Sequence, residues 1–142
     1  MKIEDKYFTP SIEDIRIGYE FEQSSGGRPG YPDWVPNCRI DSASEIEYIE
    51  SGEWVIRVPY LAKEQIEAEG WKFHDNSFKN GYFTKTAVRL DGVTQEFELK
   101  YDFDSKVLVI DYDCGDFMNC GSFDGLCKDI NTFRYICKLL NV

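Results

Sequence analysis

The chain has one histidine, His74, among its 142 residues. A metal site that uses two histidines of one chain is therefore excluded. His74 stands beside Asp75, and no nucleophile motif such as G-x-S-x-G accompanies the pair. We expect His74 to lie in a solvated loop and to have no catalytic role.

Long apolar runs are also missing. The first ten residues, MKIEDKYFTP, lack the apolar centre of a signal peptide. No stretch approaches the run of about 18 apolar residues that a membrane helix needs. We therefore expect a cytoplasmic protein that makes no membrane contact.

Basic residues are scarce, with 16 Lys and Arg against 26 Asp and Glu, a net charge of −10. Nucleic-acid binding depends on cations that neutralise phosphates, so this balance argues against a nucleic-acid partner. The excess lies mainly in the first half, since residues 1–71 hold 15 acidic and 7 basic side chains. A basic protein partner remains open.

The five cysteines lack the tight C-x₂₋₄-C spacing of zinc knuckles. Five and six residues separate Cys114, Cys120 and Cys127. An odd number with no framework spacing predicts free thiols in a reducing compartment. The stretch GGRPG at residues 26–30 also lacks the lysine and helix of a phosphate loop. We expect no metal, no cofactor and no enzymatic activity.

The composition nevertheless supports a folded globule, with 42% hydrophobic and 15% aromatic residues. A chain of this length buries roughly 70% of its unfolded surface, so one compact domain over residues 1–142 is expected. The element pattern predicts an α+β fold. It consists mainly of antiparallel sheet with a three-stranded C-terminal meander, one short middle helix and a C-terminal helix packed on the sheet.

The meander, residues 82–113, is the best-defined stretch. Asp91-Gly92 separates two β-rich runs, and this dipeptide favours the positive φ angles of a tight hairpin turn. In the middle strand apolar residues alternate with polar ones, which predicts one face turned to water. The next strand, residues 107–112, is apolar on both faces, so we expect the C-terminal helix to cover part of its outer side.

Two further strands are predicted from alternation, one from Ile15 to Glu22 and one from Trp54 to Tyr60. Pro59 has no N–H for a ladder, so that end of the second strand is expected at a sheet edge or outside the sheet. Thr9-Pro10 predicts a short helical start before the first strand.

Three segments have helix signals. Residues 41–52 fit either a strand or a short helix, which we favour. The capping box of that helix would be Ser42 with Glu45 or Ser44 with Glu47. Residues 62–69 predict a two-turn helix that ends at Gly70. The C-terminal helix is predicted with Asn131 as its N-cap. Residues 72–80 are expected to be a turn-rich linker.

The longest predicted loop, residues 23–37, has three glycines and three prolines. Long loops in compact domains are often functional. We therefore take Arg28, Tyr31 and Trp34 as candidate binding residues, together with Arg57 on the strand that follows. The alternative for Trp34 is that it packs onto the core.

Four stretches carry a family resemblance: residues 8–22, 55–61, 62–71 and 123–142, which read FTPSIEDIRIGYEFE, VIRVPYL, AKEQIEAEGW and FDGLCKDINTFRYICKLLNV. In their order along the chain they resemble short uncharacterised accessory proteins of tailed bacteriophages and of prophages of gut bacteria. The resemblance implies a phage-encoded protein in the bacterial cytoplasm, a setting in which small acidic proteins often inhibit host machinery. It implies no catalytic residue.

Three functions are compatible with these features. The first is a non-enzymatic binder or inhibitor of a host protein. The second is a protein that sequesters a small nucleotide immune signal, with aromatic rings stacked on the base and Arg28 or Arg57 holding phosphate. The third is a minor structural component of the virion.

Overall fold

The computed structural model describes residues 6–75, 81–88, 92–113 and 119–142. The α+β class is confirmed, because two antiparallel sheets are combined with three α-helices. The chain divides into two compact units, Met1–Tyr60 and Leu61–Val142. The single domain over residues 1–142 stays a prediction.

The first unit contains a four-stranded antiparallel sheet whose strands are β1, Tyr7–Phe8, β2, Glu20–Ser24, β3, Trp34–Arg39, and β4, Ile56–Pro59. Their order across the sheet is β1-β4-β2-β3. The buried side chains of this unit form one apolar cluster, made of Ile15, Tyr19, Phe21, Ile40, Ile56 and Val58. Two separate segments of the chain, the β2–β3 hairpin and the central strand β4, therefore share one core.

The strand predicted from Ile15 to Glu22 is shorter than expected. Its first part makes a turn in which Gly18 has a φ of +89° and Ile17 is 66% exposed. The turn is fixed from outside, because the N–H of Gly18 donates to the carbonyl of Ile40 at 2.8 Å. The alternation of apolar residues correctly predicted that Tyr19 and Phe21 are buried. It wrongly predicted that Ile17 is buried as well.

The segment before this turn is a 3₁₀ helix, Ile12–Asp14, with Ser11 at its N-cap. The helical start predicted at Thr9-Pro10 therefore begins two residues later and lasts for a single turn. Its backbone is closed by the N–H of Ile15, which donates to the carbonyl of Ile12 at 3.2 Å.

Pro59 is the last residue of β4 and pairs on one side only, with Tyr7 of β1, so the predicted edge position holds for its other side. Toward β1 the hydrogen bond is made by the next residue, Tyr60, whose N–H donates to the carbonyl of Lys6 at 2.9 Å. On the other side β2 pairs only with Ile56 and Arg57. The missing N–H of the proline therefore falls where neither neighbour needs it.

Helix α1, Ala43–Glu50, resolves the ambiguity of residues 41–52 in favour of the helix. The N–H of Ser42 donates to Glu45 Oε2 at 3.1 Å, the return half of a capping box. Ile46 and Ile49 pack against the apolar cluster of the first unit. The helix thus covers part of the core with one face and leaves its acidic residues to solvent.

The second unit contains a five-stranded antiparallel sheet in sequential order. The strands are β5, Lys72–His74, β6, Tyr82–Val88, β7, Thr94–Asp102, β8, Val107–Asp113, and β9, Asn119–Leu126. The predicted meander, β6 to β8, is confirmed and is extended by one strand on each side. The prediction of a turn-rich linker was wrong for residues 72–74, because they form β5. Asp91 lies outside the described residues, while Gly92 has the expected positive φ of +85°.

The two faces of this sheet differ as predicted. Phe97, Leu99 and Tyr101 of β7 are buried, whereas Glu96 and Lys100 on the opposite face are exposed. The hydroxyl of the buried Tyr101 is satisfied, because it donates to the carbonyl of Cys127 at 2.7 Å. A helix packs on this apolar inner face.

That helix is α3, Ile130–Leu140, and Phe133, Ile136 and Cys137 form its buried stripe. The stripe packs in one cluster with Leu108 and Ile110, so α3 lies on the inner face of the sheet. Our expectation that it covers the outer side of β8 was wrong. Packing on the inner face removes more apolar surface from water, which is the dominant favourable term.

Asp129, rather than the predicted Asn131, is the N-cap of α3. Its carboxylate accepts the N–H of Thr132 at 3.2 Å and the side-chain amide of Asn131 at 2.8 Å. Both side chains are buried. A buried carboxylate needs such donors, and the helix N-terminus supplies them. Among the helices of the described residues, none is long and apolar enough to cross a membrane.

Helix α2, Lys63–Ala68, ends as predicted at Gly70, whose φ is +95°. The N–H of Gly70 donates to the carbonyl of Glu67 at 3.0 Å, and Ile66 and Trp71 on either side are both buried. Lys85 Nζ donates to the carbonyl of Glu69 at 3.0 Å and completes this helix end.

We predict that Gly70→Ala lowers the free energy of unfolding by about 1–2 kcal/mol, the cost of a left-handed conformation for a residue with a Cβ. The added Cβ would meet Lys85 Cε at 3.4 Å, an ordinary contact, so the cost is one of backbone conformation. Gly70→Asn should cost less, because asparagine tolerates this region. Urea unfolding of the three proteins is the measurement. Equal midpoints for glycine and alanine would contradict the argument.

Candidate functional site

All four candidate binding residues lie in the first unit, on or beside the β2–β3 hairpin. Arg28 and Tyr31 are in its loop, Trp34 is the first residue of β3, and Arg57 is in β4. The loop between the strands is therefore residues 25–33, shorter than predicted. With Tyr7 of β1, these four residues are called the hairpin surface below.

The loop is built from consecutive hydrogen-bonded turns. Its base is closed by the N–H of Ser25, which donates to the carbonyl of Asp33 at 2.9 Å. Further along, the N–H of Arg28 donates to Ser25 and that of Tyr31 to Arg28, both at 3.3 Å. Gly26, with a φ of +64°, supplies one of the left-handed conformations that such tight turns need. These bonds give the loop a defined conformation.

Arg28 and Tyr31 meet at the exposed end of this loop. The guanidinium carbon of Arg28 lies 5.5 Å from the centre of the Tyr31 ring, and the Tyr31 side chain is 56% exposed. A cation–π contact in such a solvated position contributes about 0.5–1 kcal/mol. The contact is weak, but it orients two side chains that both face water.

Arg57 and Trp34 form the second pair, and their surroundings are different. The guanidinium of Arg57 lies 4.3 Å from the centre of the Trp34 ring and 3.6 Å from that of Tyr7. Its Nε and Nη2 atoms donate to Glu22 Oε1 at 2.9 and 2.8 Å. The Arg57 and Glu22 side chains are only 20% and 18% exposed. The guanidinium of Arg57 therefore contacts two aromatic rings and one carboxylate.

Glu22 and Tyr7 were not among the predicted site residues. The alternation of β2 and of β4 placed Glu22 and Arg57 each on an outer face, but alternation does not say which strands are neighbours. The observed register sets Glu22 directly opposite Arg57. Strand pairing, which depends on the fold of the whole unit, was the missing information.

His74 differs from its prediction. It lies in β5 and not in a loop, it is half-buried, and its Nε2 is 2.7 Å from Thr84 Oγ1. Its ring stacks on that of Tyr82 with the centres 4.9 Å apart. These contacts explain the side chain as a cross-strand packing residue of the second sheet.

The described thiols are Cys38, Cys127 and Cys137, and all three are free. Burial raises the pKa of Cys127 to about 12 and that of Cys137 to about 11. Burial also raises the pKa of Cys38. These thiols stay protonated at neutral pH and so lack the thiolate that a nucleophile needs.

The predicted absence of metal rested partly on Cys114 and Cys120, and Cys114 and the side chain of Cys120 lie outside the described residues. Within residues 6–75, 81–88, 92–113 and 119–142, no group of three or more His, Cys, Asp or Glu side chains is arranged to hold a metal ion. The hairpin surface remains the candidate functional site.

We predict that Arg57→Lys lowers the free energy of unfolding by about 1–2 kcal/mol. A lysine has one compact cationic group, which cannot stack flat between two rings and bond Glu22 by two nitrogens. Arg39→Lys is the matched control, because Arg39 is 59% exposed and lies 3.7 Å from Glu20, an ion pair of little expected value. Chemical unfolding measures both changes, and equal losses would contradict the special role of Arg57.

Comparisons of the chain with protein-family models, with curated proteins and with solved structures found no match.

Proposed function

We propose that this chain is a non-enzymatic binding protein that engages another protein through the hairpin surface. The observation that supports this most is the Arg28–Tyr31 pair, which stands exposed on a loop closed by the Ser25–Asp33 hydrogen bond. A loop that is ordered before binding loses less conformational entropy when a partner arrives.

The residue types also favour protein recognition. Tyrosine, tryptophan and arginine are enriched among the interface residues that contribute most to binding. Tyr31 offers a large aromatic side chain with few rotatable bonds, and Arg28 offers five N–H donors. Both are exposed on the same loop, so one partner surface can contact them together.

The expected partner is a protein of a bacterial host. This part of the proposal depends on the resemblance to phage accessory proteins, which also suggests the cytoplasm as the setting and inhibition as the outcome. The net charge of −10 is consistent with a protein that avoids nucleic acid and acts on another protein.

The two alternatives receive less support. Sequestering a nucleotide requires Arg28 or Arg57 to hold phosphate, and the guanidinium of Arg57 is already stacked on two rings and paired with Glu22. Only Arg28 is left for that task, on an exposed loop. A role in the virion has the resemblance alone in its favour. We therefore retain protein binding as the proposal.

Site-specific photocrosslinking in bacterial cells tests it. A photoreactive phenylalanine analogue at Tyr31 should give a discrete crosslinked species on irradiation, because this side chain would lie at the interface. The yield should fall when Arg28→Glu is added to the same chain. Mass spectrometry of the species then identifies the partner.

The matched control places the same analogue at Tyr135, which is 49% exposed in the second unit. It reports collisions that any exposed aromatic position makes in the cell. The proposal predicts the discrete species at position 31 and not at position 135. The absence of a discrete species at position 31, or the same species at both positions, would reject it.

A further inference from the structure

We infer that Arg28 is the anchor of the hairpin surface and that it takes a carboxylate of the partner protein. This inference rests on the proposed function and adds the chemistry of the partner at the point of contact. It comes from the way in which the arginines of the described chain are paired.

Three arginines already have a carboxylate of their own. Arg39 lies 3.7 Å from Glu20, Arg57 lies 2.8 Å from Glu22, and Arg134 lies 2.6 Å from Glu69. Each of these guanidinium groups therefore has a negative charge of the same chain beside it, at hydrogen-bond distance for Arg57 and Arg134 and more loosely for Arg39. A neighbouring carboxylate weakens the attraction of an arginine for an outside anion.

Arg28 is different. It is exposed, and among the residues that the structure describes its guanidinium contacts the Tyr31 ring and no carboxylate. It is also the only Lys or Arg between Arg16 and Arg39. The N–H groups at its edge remain available to a ligand, and a carboxylate matches them with two parallel hydrogen bonds.

Tyr31 helps to orient the guanidinium of Arg28. A ring beside the guanidinium limits the positions that the arginine can adopt, so less freedom is lost when the hydrogen bonds form. The exposed ring of Tyr31 also offers apolar surface next to the ion pair. The expected contact on the partner is therefore an Asp or Glu beside an apolar side chain.

The overall charge of the chain predicts a basic partner, the opposite of a carboxylate at the point of contact. A chain with a net charge of −10 attracts basic partners if long-range electrostatics decides. At physiological salt such attraction is screened beyond about 8 Å, so the nearest charge dominates a contact at the loop. The loop holds two charged side chains, Arg28 and Asp33, and Arg28 is the one that contacts Tyr31. A partner that contacts Tyr31 therefore lies beside the positive charge of Arg28.

Selection of peptides from a random display library on the immobilised full chain, at physiological ionic strength, distinguishes the two. We expect peptides enriched in Asp or Glu next to an apolar residue. Their affinity should fall about three- to tenfold for Arg28→Gln, the effect of one partly solvated charged hydrogen bond pair. Arg39→Gln removes the same charge from the same unit and should leave the affinity within about twofold.

Selection of basic peptides would overturn the carboxylate assignment while leaving protein binding as the function. Acidic peptides that bind Arg28→Gln as well as the original chain would overturn it too. If no peptide is selected and photocrosslinking at position 31 also fails, both the assignment and the proposed function are rejected. If photocrosslinking at position 31 succeeds but no peptide is selected, protein binding does not depend on a single carboxylate. The carboxylate assignment alone is then rejected.

Discussion

The first unit depends on the guanidinium of Arg57, which contacts one side chain from each of the other three strands of its sheet. Tyr7 of β1 and Trp34 of β3 cover its faces, and Glu22 of β2 accepts from its edge. A partly desolvated cation–π contact contributes up to about 2 kcal/mol. Two such contacts together with the ion pair therefore stabilise the packing of the four strands. The apolar cluster on the other face of the sheet supplies the burial, and Arg57 links side chains of the other three strands on this face.

This arrangement positions the hairpin surface. Trp34 pairs with Ser24 at the start of the hairpin, and the Ser25–Asp33 hydrogen bond follows directly. Because Arg57 holds Trp34, the base of the loop is fixed to β4, the strand that shares its core. The exposed Arg28 and Tyr31 then project from a rigid base. The second unit needs no such device, because α3 packs its apolar stripe directly on the five-stranded sheet.

Local signals in the sequence predicted the elements that local chemistry determines. The meander followed from alternation and from the turn at Gly92, α1 from its capping residues, and the end of α2 from Gly70. What failed depended on contacts between distant residues. The turn at Ile17 is set by hydrogen bonds to Ile40, which alternation cannot register.

The candidate site shows the same limit. Composition identified Arg28, Tyr31, Trp34 and Arg57, but not that they form two separate pairs with different roles. One pair is exposed and one is packed, and only the strand order brings Glu22 and Tyr7 to Arg57. In the same way, the cap of α3 is Asp129 rather than Asn131, because the buried Asp129 carboxylate accepts from both Thr132 and Asn131. Pairing across a sheet and burial in a core are properties of the folded chain.

Arg57 keeps the hairpin ordered before any partner binds, and amide hydrogen exchange measures this order residue by residue. In the free protein the amides of Ser24 and Ser25, which donate to Val55 and Asp33 at 2.9 Å, should be protected. Arg57→Lys should reduce that protection about tenfold, equivalent to about 1.4 kcal/mol of local opening, and leave the amides of β7 unchanged. Unprotected hairpin amides in the original chain, or protection that Arg57→Lys does not alter, would contradict the account.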